Sequence, residues 1–77
     1  MTPRLKAALL GLRIYGPCTN AELAGRINRN PEQVYRQVRE LRTKGLAIGT
    51  DQGYDITDAG RRLLGEEWKQ KTIEVSQ

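Results

Sequence analysis

From Met1 to Gly45 the hydrophobic positions recur with a helical period, and beyond Gly45 they come close to alternating. Leu5, Ala8, Leu9 and Leu12 share one face of a helix opened by Thr2 and Pro3 and ended near Tyr15 by Gly16-Pro17. A second stripe of Ala7, Leu10 and Ile14 lies nearly opposite. A helix that is apolar on two sides needs two surfaces to pack against: one is the domain core, the other a later helix of the chain or a second subunit. Thr19 and Glu22 occupy the N-cap and N3 positions of a capping box, which predicts a short helix to about Ile27 with Leu23 and Ile27 inward.

The clearest start and stop enclose Asn30 to Gly45. Asn30 can accept from the free N–H groups of the first turn, Pro31 brings a preset φ, Gln33 completes a capping-box-like spacing, and Gly45 after Lys44 is a left-handed stop. Val34, Val38 and Leu41 lie within about 60° of one another on a helical wheel, while Glu32, Arg36, Arg39, Glu40 and Thr43 fill the other side. With Asn28-Arg29-Asn30 as a tight connection, this helix and the one before it have the proportions of a helix-turn-helix.

Leu46-Ala47-Ile48 and Tyr54-Asp55-Ile56 are strand candidates around Gly49-Thr50-Asp51-Gln52-Gly53, which suits a hairpin turn. Thr57 then caps a further helix, with Asp58 in its first turn, Leu63, Leu64 and Trp68 as apolar residues, and an end near Lys69 to Lys71. The expected class is mainly α with a small β-hairpin, in one domain over 1–71; residues 72–77 are expected to fray.

Composition narrows the function classes. A chain of 77 residues has one modest core, burying only about 60% of its unfolded surface, so a deep catalytic cleft is not expected. With no Phe and one Trp, that core must be aliphatic. The absence of His removes the commonest general base and any Cys-His pair, and the single Cys18 cannot form an internal disulfide. Asp55 and Asp58 are too few for a metal site, no phosphate-binding glycine loop is present, and neither an enzyme nor a cofactor is expected. Cys18 precedes a helix start, where a thiolate is favoured; a redox role stands against that of small buried filler. No apolar run approaches the roughly 18 residues of a membrane span and the start lacks a signal peptide, so a cytoplasmic protein is expected.

Charge is unevenly spread. Met1 to Gly45 carries nine Lys/Arg against three Asp/Glu, whereas Leu46 to Gln77 carries four against six. The basic half contains the Asn30–Gly45 helix, which points to an anionic partner, most often nucleic acid, unless these charges merely solvate a helix face.

Helix, helix-turn-helix, hairpin, helix is the order of a winged-helix domain, and the residues carry a resemblance. Val34-Tyr35-Arg36-Gln37-Val38-Arg39-Glu40-Leu41-Arg42-Thr43-Lys44-Gly45-Leu46 resembles the recognition helix and its exit in MarR-type bacterial regulators. Ile56-Thr57-Asp58-Ala59-Gly60-Arg61-Arg62-Leu63-Leu64 is similar to the segment that closes their wing, and Asn20 to Ile27 to their support helix. The resemblance covers about Leu5 to Trp68, and the short chain is similar to the small winged-helix proteins of phages and mobile elements. It implies a sequence-specific transcriptional regulator that binds double-stranded DNA, with helix 31–44 in the major groove; because a lone domain presenting one helix buries little surface, a homodimer on an inverted repeat is expected. Tyr35 stands where the family usually has Ser or Thr, and the wing tip has Asp51 where it often has a basic residue.

For a helix in the major groove, Gln33, Tyr35, Arg36 and Gln37 are the candidates for base contact: Arg36 forks to a guanine, Gln33 or Gln37 to an adenine, and Tyr35 meets a thymine methyl or packs within the protein. Gln33 has its helix cap as an alternative use. Thr19 and Asn20, at a helix start, and Arg29, Arg39 and Arg42 are candidates for phosphate, with Gln52 the polar residue of the wing. Glu40 can hold Arg36 by an i,i+4 pair, and Arg4, Lys6 and Arg13 read as a soluble face. Leu10, Ile14 and Trp68 are the candidate dimer contacts. The rival class is a winged-helix protein-protein interaction module, which suits the acidic second half.

Overall fold

A computed structural model describes residues 1–65. In chain order the elements are α1 (Pro3–Tyr15), α2 (Asn20–Ile27), α3 (Pro31–Thr43), β1 (Ala47–Thr50), β2 (Gly53–Ile56) and α4 (Asp58–Leu64). The mainly helical class with one antiparallel hairpin is therefore as expected. No helix of the described residues is long and apolar enough to cross a membrane.

Local chemistry accounts for the helix ends. Thr2 Oγ1 accepts from the Leu5 N–H at 3.2 Å, and the Gly16 N–H closes α1 on the Leu12 carbonyl at 3.0 Å. At α2 the capping box is complete: the Thr19 hydroxyl accepts from the Glu22 N–H at 3.1 Å, and the Glu22 carboxylate accepts from the Thr19 N–H at 3.0 Å. Asn28, left-handed at φ 56°, ends α2. Asn30 caps α3 on the Glu32 N–H at 2.8 Å, one residue short of the Gln33 spacing, so Gln33 is not the cap partner. Gly45, at φ 76°, lets the Leu46 N–H fold back to the Leu41 carbonyl at 2.8 Å.

α1 touches α2, α3, β2 and α4, so more of it is covered than its main stripe. Leu9, Leu12, Leu23, Val34, Val38 and Leu41 are the largest fully buried side chains, each contributing about 1.5–3 kcal/mol by leaving water. Leu10, a candidate dimer contact on the second stripe, belongs instead to this core at 8% exposure, while Ile14 stays open at 37%. α1 and α2 meet across Gly11, where a β-carbon would lie 2.7 Å from Leu23 Cδ1 and 2.9 Å from Ile27 Cγ2.

The hairpin is longer and its turn tighter than expected. Ala47 pairs with Ile56, Ile48 with Asp55, Gly49 with Tyr54 and Thr50 with Gly53, leaving Asp51 and Gln52 in the turn. A feature absent from the sequence reading is an antiparallel bridge between Cys18 and Tyr54, with Cys18 N–H to Tyr54 O at 3.0 Å and Tyr54 N–H to Cys18 O at 2.7 Å. It ties the α1–α2 connection to β2.

Thr57 opens α4 by accepting from the Gly60 N–H at 3.2 Å and donates its own hydroxyl to the Gly45 carbonyl at 2.7 Å. The helix stops at Leu64 because Gly65 takes φ 58°, well before the expected end near Lys69 to Lys71. Of its apolar residues Leu64 enters the core and Leu63 is 57% exposed. Trp68 and the expected tail lie outside the described residues.

Candidate nucleic-acid interface

The exposed side of α3 follows from its period. Val34, Val38 and Leu41 are buried, which turns Glu32, Tyr35, Arg36, Arg39 and Thr43 outward. Tyr35 keeps 48% of its surface in water. Three of the expected base-contacting residues, Gln33, Tyr35 and Arg36, are thus exposed.

Gln37 differs. It shares a small depression with Thr2, Arg4 and Leu5 at the start of α1, together with Arg36 and Glu40. Its Oε1 is buried without a hydrogen-bond partner, so one end of the amide is turned away from solvent. Glu40 and Arg36 line the same depression without forming an ion pair; the i,i+3 pair of Arg61 with Asp58, at 2.9 Å, lies elsewhere.

The opposite flank of α3 faces the hairpin. Arg39, Arg42 and Thr43 line an open cleft of about 590 Å³ with Gly45, Ala47, Ile48 and Gly49. Arg42 also borders a second cleft, of about 660 Å³, between the start of α2 and residues 49–54. Its guanidinium sits 5.4 Å from the centroid of the Tyr54 ring, within cation–π range. The phosphate candidates Arg39 and Arg42 are thereby gathered beside the hairpin. Arg29 is not with them: it lies at the rim of a groove between α1 and α2, with Ala7, Leu10, Ile14, Tyr15 and Ile27.

At the start of α2 the expected phosphate site already has an anion. The Glu22 carboxylate takes the Thr19 N–H, and that hydrogen bond, supported by the Thr19 hydroxyl and then Arg26, holds its pKa below the ordinary range against a small opposing burial. Asn20 is half-buried at the second cleft, with Oδ1 covered and unpartnered. Gln52 and Asp51 are exposed at the hairpin tip, where the Gln52 N–H donates to Thr50 Oγ1 at 3.2 Å.

Cys18 is buried, as the filler reading has it, and the redox alternative finds no activated thiol. Burial, then the charges of Glu22 and Asp55, push its pKa up against the weaker opposing pull of Arg26, so the neutral thiol is favoured. Among the described residues no group of three or more His, Cys, Asp or Glu is placed to hold a metal ion. The contacts that the sequence did not disclose are Arg42 over Tyr54 and Arg26 over Tyr15, the latter at 5.1 Å; each joins residues far apart in the chain, and only the aromatic and cationic residue types hint at them.

Comparison with protein-family models, with curated proteins and with solved structures finds no match.

Proposed function

We propose that this chain is a winged helix-turn-helix regulator of the MarR-like or small phage type, which binds duplex DNA sequence-specifically and catalyses no reaction. In this reading α3 enters the major groove, the β1–β2 hairpin is the wing, and the Cys18–Tyr54 bridge is the short third strand at its base. The observation that carries it is the exposed stripe of Tyr35, Arg36 and Arg39, set opposite a fully buried Val34-Val38-Leu41 face and bordered by the hairpin. Arg36 and Gln33 supply hydrogen bonds to base edges, Tyr35 an apolar contact to a thymine methyl, and Arg39 a phosphate contact. Gln37 joins them by turning its amide out of the α1 depression. Asp51 repels phosphate, which leaves Gln52 and main-chain amides for the wing.

A single small domain presents one helix, so two copies on an inverted repeat reach the specificity a regulator needs. The α1 edge around Ile14, together with Trp68, is the proposed contact between copies. A second reading, a protein-interaction module, is favoured by the acidic hairpin tip and by Ile48 and Leu63, both exposed on the hairpin and α4.

Binding of a selected duplex at two salt concentrations separates these readings. The expected result is an affinity that falls steeply with salt, and loss of preference for the selected site in Arg36→Ala. Absence of binding at low salt removes the DNA reading. Sedimentation at micromolar concentration tests the dimer, and a species that stays at 8.7 kDa removes it.

A further inference from the structure

We propose that Arg42 is a positioning residue: it fixes the angle of the hairpin to α3 by holding its guanidinium over the Tyr54 ring, and its charge is not spent on a DNA phosphate. The consequence for DNA rests on the proposed function; the contact itself does not. Cζ lies 5.4 Å from the ring centroid, where the negative face of the ring attracts a cation. Tyr54 is an effective anchor because its main chain is clamped by two hydrogen bonds to Cys18, at 3.0 and 2.7 Å. One side-chain contact therefore joins the last turn of α3, the hairpin and the α1–α2 connection.

The surroundings fit this role. A two-stranded hairpin is marginal alone and takes its orientation from what it packs on. At residue 49 a β-carbon would lie 3.8 Å from Arg42 Nη2, so the guanidinium runs close along the strand at a position where glycine presents no side chain. Arg42 also forms the wall between the two clefts that flank the hairpin, bordering both. Both arginines are exposed, but Arg39, one turn earlier on the same flank, lines the cleft beside β1, and of the two it is Arg42 that lies over an aromatic ring. Of the two arginines, Arg39 is the one left to meet phosphate.

The test uses the full chain and the variants Arg42→Gln, Arg42→Lys, Tyr54→Leu and Tyr54→Phe. In NMR spectra the Arg42 side-chain resonances should show a ring-current displacement that Tyr54→Leu abolishes and Tyr54→Phe retains. Amide exchange at Tyr54, whose N–H is held by the Cys18 carbonyl, should quicken in Arg42→Gln, and Arg42→Lys, which keeps the charge without the planar stack, should rescue it only in part. On duplex DNA, Arg42→Gln and Tyr54→Leu should each weaken binding about two- to fivefold, the double variant no further, with the slope of log affinity against log salt unchanged. A phosphate contact gives the opposite pattern: Arg42→Gln lowers that slope by about one and Tyr54→Leu has no effect. That pattern overturns the proposal, as does unchanged amide exchange in Arg42→Gln. If the protein binds no DNA at all, the functional reading fails, while the NMR and exchange results still decide whether the Arg42–Tyr54 contact sets the hairpin.

Discussion

Gly53 lies against the carbonyl of Cys18 so closely that a β-carbon on residue 53 would overlap it, and the same glycine sits at φ 125°. Close approach and backbone conformation both require glycine there, because the strand end must reach the α1–α2 connection for the Cys18–Tyr54 bridge to form. Gly53→Ala is expected to lose about 2 kcal/mol or more in urea unfolding. Gly49→Ala is the control: its β-carbon meets only Arg42, at ordinary contact distance, and the change should stay within about 1 kcal/mol.

Two helical glycines should respond with opposite signs. Gly25 in α2 has nothing within 4 Å of a built β-carbon, so Gly25→Ala should stabilise by about 0.5–1 kcal/mol through helix propensity. At Gly60 in α4 the same atom would lie 2.6 Å from the Leu46 carbonyl oxygen and 2.7 Å from Ile56 Cγ1. There the propensity gain is outweighed, and Gly60→Ala should destabilise by more than about 1 kcal/mol in the same measurement.

These pairs show what was legible in the sequence. α1, α2 and α3 begin where Thr2, Thr19 and Asn30 say they do, because a cap is a contact between residues two or three apart. The buried stripe of α3 follows from period alone. Which flank each α3 residue faces depends on where α1 and the hairpin dock, so Gln37 against α1 and Arg42 against Tyr54 needed the structure. Leu10 belongs here too: its period put it on a second stripe whose cover, a later helix or a second copy, depends on docking, and within the single chain it is core at 8% exposure. Gly65 ended α4 earlier than the apolar pattern through Trp68 suggested, since a positive φ stops a helix whatever follows.

The α2 cap gives the fold a signature at low pH. Glu22 has its pKa depressed in the folded chain, chiefly by the Thr19 N–H, so its contribution is present above the ordinary carboxylate range and is lost as pH falls through the lowered value. Wild type should therefore be more stable than Glu22→Gln at neutral pH, with the difference shrinking toward zero on acidification. Thr19→Ala, which removes the other half of the box, should cost about 1 kcal/mol at pH 7. Thermal unfolding followed by circular dichroism across pH reads both.

Cys18 should behave as an inert thiol. Burial raises its pKa in the fold, so the unfolded chain ionises first and stability declines as pH climbs past the ordinary thiol range. Labelling by a thiol reagent at pH 8 should be much slower than for free cysteine and should accelerate in urea in step with unfolding. Rapid labelling of the native chain would show that the α1–α2 connection opens.

Leu10 and Ile14 stand four residues apart on α1, yet their roles separate by burial. Leu10 is part of the buried core, and Leu10→Ala should cost roughly 2–4 kcal/mol whatever the protein concentration, because the cavity forms within one chain. Ile14, at the mouth of the α1–α2 groove, is open enough that Ile14→Gln should change the stability of a single chain by no more than about 1 kcal/mol. If the α1 edge joins two copies, the effect of Ile14→Gln appears instead in sedimentation, as a weaker dimer with unchanged unfolding of the monomer. An Ile14→Gln chain that self-associates as well as wild type places the contact elsewhere and leaves the groove as a feature of the single domain.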